Sequence, residues 1–335
     1  MRQHWKAMTH ALATAIRRSR APLGLGLGGV LLVALGACGP KDNGASQRFD
    51  ITFKYLSTLT DSQKLAFEHA AARWSDIITG DLPDVMSGDV PAGGCGTNSP
   101  ALPNQRIDDL LILVTVMRID GPGQILGTSG PCFIRQDSRL TVIGQMQFDS
   151  SDLDVLQFKG QLEPTVLHEM GHVLGYGSLW SDDNYLKNPS LPDSIGADTT
   201  FSGTHAQTEF DTAGGTSYTA GGKVPVENSM GGAGTRDGHW RESVFQNELM
   251  TGFLNNGPNP LSRVSIASLQ DLGYQVDLAA ADPYGLPVIG IAAQSTDGTV
   301  HAESTDGITL GDDVLRMPIK SIDPEGRVIE VHDFR

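Results

Sequence analysis

His168 and His172 stand one helical turn apart in the stretch HEMGHVLG, residues 168–175. Side chains four residues apart on an α-helix project from one face, so both imidazoles can present nitrogens to a single ion. Zinc suits such nitrogens, and a catalytic zinc uses three protein ligands with a fourth position left open. The chain must therefore return to this helix from elsewhere with another donor, and this requirement constrains the fold more than any other feature. Glu169 lies about 100° around the helix from His168, placed to reach a water on the metal without binding the metal itself. Zinc brings the pKa of such a water towards neutrality, which makes Glu169 the candidate general base. Gly175 accepts the positive φ that ends a helix and turns the chain sharply. The bare HExxH pattern also occurs by chance on exposed helices, so its neighbours decide the matter.

The extended form of this signature has its next histidine at position 178, which is serine here. Downstream of Gly175 the histidines are His205, His239, His301 and His332. Loop length does not choose among the first two, since closing to 239 rather than 205 costs only about 0.5 kcal/mol more. Context does choose. His205 falls in FSGTHAQTEF, inside a stretch (177–238) dense in Gly, Ser, Thr, Asp and Asn. So long an irregular stretch in one domain suggests a functional insertion. His239 opens the run HWRESVFQNELMTGF, residues 239–253, which carries Met250. His301 and His332 belong to a C-terminal extension expected away from the cleft. His239 is the expected third ligand, and the lone helical His69 is given no metal role.

HEMGHVLG followed, after a long insertion, by HWRESVFQNELMTGF resembles the leishmanolysin branch of the metzincin zinc peptidases. The similarity extends through QFDSSDLD before the helix and SIASLQDLGY after the methionine, roughly residues 49–285. The resemblance implies His168, His172 and His239 as ligands of one catalytic Zn²⁺, Glu169 as general base, and Met250 as the methionine of a turn beneath the metal. It also implies an α+β, metzincin-like catalytic domain: a mixed twisted sheet with an active-site helix, a long Gly-rich insertion and a C-terminal subdomain. The resemblance leaves the tail unexplained; short alternating runs beyond Tyr284, LPVIGIAA and RVIEVHDF, read as a short β-rich extension. Two departures stand out. Some metzincins carry an oxyanion-stabilising tyrosine after the turn methionine, where this chain has Thr251, Gly252 and Phe253. Family members are often held latent by a propeptide cysteine, and the tether between Cys38 and Phe49 is too short to be a recognisable propeptide.

The N-terminus reads as an export signal. Arg2, Lys6, Arg17, Arg18 and Arg20 precede the uncharged run APLGLGLGGVLLVALGA, residues 21–37, which is short for a spanning helix. LGAC resembles a bacterial lipobox, with Cys38 the lipidated first residue of the mature chain; an ordinary secretory signal is the alternative. Without residues 1–37 the chain keeps 19 basic residues against 39 acidic ones, a formal charge near −20 that disfavours nucleic acid and anionic headgroups. Membrane attachment is therefore expected through lipid at Cys38, on the periplasmic or cell-surface face, with plain secretion otherwise. Of three cysteines, Cys95 and Cys132 remain as a pair in an oxidising compartment, which predicts a disulfide.

The expected organisation is a signal (1–37), a tether (38–48), a catalytic domain (49–285) and a β-rich extension (286–335). Phe49, Ile51, Phe53 and Tyr55 alternate as in a strand, and Thr60 with Gln63 forms a capping box ahead of a helix bearing Phe67, Ala71, Trp74 and Ile78. LLILVTVMRI (110–119) reads as a strand buried on both faces, and LTVIGQMQFD (140–149) as another, with Cys132 in a loop between them. DSSDLD (149–154) lacks the glycine and terminal glutamate of a calcium loop and reads as a turn and helix cap. Ser262 caps a helix closed by Gly273. The chain's expected partners are protein or peptide substrates. The competing expectation is a catalytically silent surface lipoprotein that keeps the scaffold for binding or adhesion.

Overall fold

The alternating run at the start of the expected domain forms strand β1 (Ile51–Tyr55) in a computed structural model that describes residues 48–287 and 307–333. The signal segment, Cys38, nearly all of the tether, and His301 lie outside the described residues. Helix α1 (Asp61–Ile77) begins at the anticipated box: Thr60 Oγ1 accepts from the Gln63 amide at 3.2 Å, and Gln63 Oε1 accepts from the Thr60 amide at 2.9 Å. These bonds satisfy two amides that a helix start otherwise leaves without partners.

Strand β2 (Leu110–Met117) is buried on both faces for most of its length. Leu110, Ile112 and Val114 join the core under the helices, while Leu111 and Leu113 face a second core with Val85, Val142 and the two cysteines. That two-sided burial is why its sequence is continuously apolar rather than alternating.

The segment around Cys132 departs from expectation. It is not a loop but strand β3 (Gly127–Arg135), and Cys132 is joined to Cys95 with Cα atoms 5.2 Å apart. Gly127, Gly130 and Pro131 disguise it, since each is disfavoured inside a strand. The register shifts on either side of Phe133, and such bulges are where a sheet accommodates residues of this kind.

Strand β4 (Thr141–Asp149) leads through a short helix α2 (Leu153–Phe158) to α3 (Leu162–Val173), the helix carrying the HEMGH residues. The expected turn is there, but no side chain caps α2: Asp149 instead accepts from the amides of Ile119, Asp120, Gly121 and Ser151 at 2.7–3.0 Å, which ties β4 to the loop after β2. After α4 (Arg263–Leu272), capped by Ser262 and closed by Gly273 at φ +117°, the described C-terminal residues give β5 (Ile319–Ile322) and β6 (Val328–His332). The sheet order is β1-β2-β4-β3-β5-β6. β1, β2 and β4 are parallel, β3 is antiparallel to β4, β5 is parallel to β3, and β6 is antiparallel to β5. The chain is thus α+β with a mixed sheet.

Helix α3 lies close against this sheet because Gly144 lets it. A Cβ at 144 would sit 2.3 Å from Val173 Cγ1, and Thr141 Oγ1 donates to the Val173 carbonyl at 2.7 Å. The Gly-rich insertion is folded around aromatic rings rather than long periodic elements. Trp180 stacks on Trp240 at 4.9 Å between centroids, and Trp240 on Phe245 at 5.3 Å. Each such ring buries roughly 150–250 Å², so a few of them replace a periodic apolar stripe.

Candidate metal centre

Helix α3 presents His168 and His172 on one face, and the chain returns through the insertion to bring His239 against them. The three Nε2 atoms are 3.0, 3.0 and 3.2 Å apart. Each Nδ1 faces a backbone carbonyl: Leu249 O for His168 at 2.7 Å, Tyr176 O for His172 at 2.8 Å, and Thr235 O for His239 at 2.8 Å. A carbonyl only accepts, so these contacts put the proton on Nδ1 and leave an Nε2 lone pair on every ring. Three lone pairs then converge with no proton between them, an arrangement that a cation stabilises. Nitrogens bound to one tetrahedral zinc at about 2.0–2.1 Å lie about 3.3–3.4 Å apart, within a few tenths of an ångström of what is seen. The donor set fits zinc.

A fourth donor comes from a place the sequence did not suggest. Asp313 Oδ2 lies 3.1 Å from His239 Nε2, 3.3 Å from His168 Nε2 and 4.0 Å from His172 Nε2. His168, Glu169, His172, His239 and Asp313 are all 0% exposed. Burial lowers the pKa of His168, and that of His172 falls further because the other two imidazoles add to it. For His239 burial lowers the pKa, but Asp313, with the Thr235 carbonyl and Glu227, more than offsets it, so the net shift is upward. A divalent cation satisfies all four donors at once.

Glu169 points to the side of the cluster. Its Oε2 accepts from Ser129 Oγ on β3 at 2.6 Å, while its buried Oε1 has no hydrogen-bond partner. Burial first, then the nearby Asp313 charge, raises its pKa well above the usual carboxylate range, with the Ser129 hydroxyl opposing. A carboxylate in such surroundings is a stronger base than one in water.

Met250 lies beneath the helix, fully buried. The turn that carries it is fastened by Glu248, whose carboxylate accepts from the amides of Met250 at 2.6 Å and Ser262 at 2.9 Å and from Ser265 Oγ at 2.5 Å. Because Leu249 O receives His168 Nδ1, the same carboxylate fixes the ring orientation of a candidate ligand, the kind of outer support that metal sites use. Glu227 does the corresponding work near His239. It accepts from the amides of Asn228, Ser229 and Met230 through Oε1, and its own amide donates to the His239 carbonyl at 2.8 Å.

The structure brings together His168, His172, His239, Glu169 and Met250, and sets the other candidates apart. Gly175 ends the helix at φ +111°. Ser178, at the position where a histidine was sought, is buried and donates through Oγ to the His172 carbonyl at 2.7 Å, so it ties down the helix end instead. His205 is exposed near the start of a separate helix, Thr204–Phe210, with its amide bound to Asp271. His69 is a surface residue beside Glu163, and His332 sits in β6 near Glu330. Asp313, Ser129, Glu248 and Glu227 were missed. Isolated polar residues in irregular or β sequence carry no local signal, and only the folded chain shows that they converge.

The leishmanolysin family model matches residues 101–285 and so takes in α3, the insertion, His239 and Met250, whereas Asp313 lies beyond its end. No curated protein matches the chain. With the match covering more than half of the sequence and the three histidines gathered within it, the chain belongs to the leishmanolysin family of zinc metallopeptidases.

Proposed function

We propose that the protein is a zinc endopeptidase with a metzincin-like catalytic domain, in which His168, His172 and His239 hold the ion and Glu169 is the general base. The observation that carries this reading is the convergence of three Nε2 lone pairs within 3.2 Å, beside a buried carboxylate with one unpartnered oxygen. Zinc bound there would polarise a substrate carbonyl and acidify a neighbouring water. Glu169 takes the proton of the attacking water and is placed to return it to the leaving amine, while Ser129 holds the carboxylate in position. The Nδ1–carbonyl contacts keep each imidazole in the tautomer that binds metal. Met250 and Glu248 have a supporting part, keeping the floor beneath the helix rigid.

Substrate would lie as an extended chain along β3 around Ser129, ahead of the residues that pair with β5, since strand backbone supplies donors and acceptors. A cavity of about 630 Å³ is lined by Gly238 and Val314, the chain neighbours of His239 and Asp313, with Leu186, Pro189 and Leu191 on its walls. Its apolar lining suits an apolar substrate side chain. Export and Cys38 lipidation, with attachment to the periplasmic or cell-surface face of a bacterial membrane, complete the proposal, resting on LGAC and on the acidic mature chain. Among the described residues no helix is long and apolar enough to cross a membrane.

The silent-scaffold alternative draws on one observation: four protein donors close a metal site, and closed sites are commonly structural. Glu169→Ala separates the two readings. It should keep zinc while casein cleavage falls by about 10²-fold or more, the usual contribution of a general base. Unchanged cleavage in that variant, or no chelator-sensitive cleavage in any form of the protein, counts against the peptidase.

A further inference from the structure

Two features of the site do not belong to an enzyme ready to work: the candidate metal-binding nitrogens and the candidate base are sealed from solvent, and the position that catalysis needs is filled by a carboxylate. The carboxylate belongs to residues 307–316, a stretch that lies past the family match and packs across the cluster. Ile308 and Thr309 pair antiparallel with Leu254 and Phe253, just after the methionine turn, and Leu310 donates its amide to Gly252 O at 3.1 Å. The chain then crosses the cluster and pairs in parallel with β3: Ser129 N donates to Asp313 O, and Leu315 N to Ser129 O, each at 2.8 Å. On the insertion side, Thr235 Oγ1 donates to Gly311 O at 2.7 Å, the Gly234 amide to Asp312, and Arg316 to Ala233 O.

The segment therefore bridges both walls of the cleft and occupies the rim of β3 along which a peptide would pair. Its side chains alternate as a bound peptide's would. Asp313 is directed at the three imidazoles, and Val314 lines the apolar cavity. Three histidines and a glutamate already make a complete donor set and base within the matched region, so a fourth donor adds nothing that catalysis requires.

We propose that residues 307–316 form an inhibitory strap, with Asp313 closing the fourth donor position, so that the folded chain is latent until the strap is displaced. This rests on the peptidase reading above.

The test uses the full mature chain loaded with cobalt(II), whose visible absorption reports its donors, and acetohydroxamate as a probe for an open position. Asp313→Ala removes the donor, and Asp313→Asn removes its charge while keeping its shape, which guards against a folding artefact. The strap predicts that both variants retain metal and show a spectrum shifted by acetohydroxamate, while the unaltered protein's spectrum does not move. It also predicts casein cleavage rising by about tenfold or more, as a closed four-donor site regains its open position. A probe-induced shift of equal size in all three proteins overturns the strap and leaves the peptidase reading standing. Loss of metal in both variants overturns it too, making Asp313 a retaining ligand. Variants that open to the probe but cleave nothing sink the peptidase reading, and latency with it.

Discussion

Gly171, between the two histidines of the helix, faces the thioether of Met250 so closely that a Cβ at 171 would lie 2.7 Å from Met250 Cε and 3.1 Å from Sδ. Trp74 Cζ2 would lie 3.6 Å from the same Cβ, an ordinary contact, so the tight approach is to the end of the Met250 side chain. The glycine of HEMGH is thus set by what lies under the helix, and the methionine acts by shape rather than by chemistry.

Gly171→Ala should overpack this contact, lowering stability by about 1–3 kcal/mol, and should weaken zinc retention as the helix shifts. Met250→Leu conserves volume and should cost less than about 1.5 kcal/mol. Denaturant unfolding followed by metal analysis reads both. An alanine at 171 as stable as glycine would contradict the packing argument.

Glu248→Gln keeps the shape of the side chain that fastens the methionine turn but replaces a carboxylate taking three hydrogen bonds. Hydrogen bonds to a charged group contribute about 1.5–3 kcal/mol, so a clear fall in Tm is expected. Zinc affinity should fall with it, because Leu249 O orients His168. A lowered Tm with unaltered zinc affinity would separate the turn from the metal centre.

The Cys95–Cys132 bridge spans 37 residues of sequence and ties the loop after α1 to strand β3. Replacing both cysteines by serine should cost about 2–4 kcal/mol, mainly by freeing the unfolded chain. Zinc content should stay the same, as the bridge lies in the core on the other side of the sheet from α3. Zinc lost in a variant that is still folded would show that β3 needs the bridge to position Ser129.

What the sequence discloses depends on how local the cause is. The capping box at Thr60 and Gln63 and the two-faced apolar run of β2 are set by nearest neighbours and by simple burial, and both are readable in the chain itself. So is the shared face of His168 and His172, which follows from helix geometry alone. Strand β3 is not, because Gly127, Gly130 and Pro131 hide a strand that its neighbours in the sheet impose. Asp313 is further from reach: it sits in GDDVLR with no periodic context, and only the pairing of its segment with Ser129 brings it to the histidines. His239 falls between these cases, chosen by the order around it and not by its distance along the chain.

In the proposed enzyme three imidazoles, one of them delivered across the insertion, hold one zinc ion. The direct measurement is zinc per chain, by elemental analysis after dialysis, for the purified protein beside His239→Ala and His205→Ala. One zinc is expected in the unaltered protein, one in His205→Ala, and little or none in His239→Ala while its fold persists by circular dichroism. A His239→Ala protein that keeps its full zinc complement would contradict it.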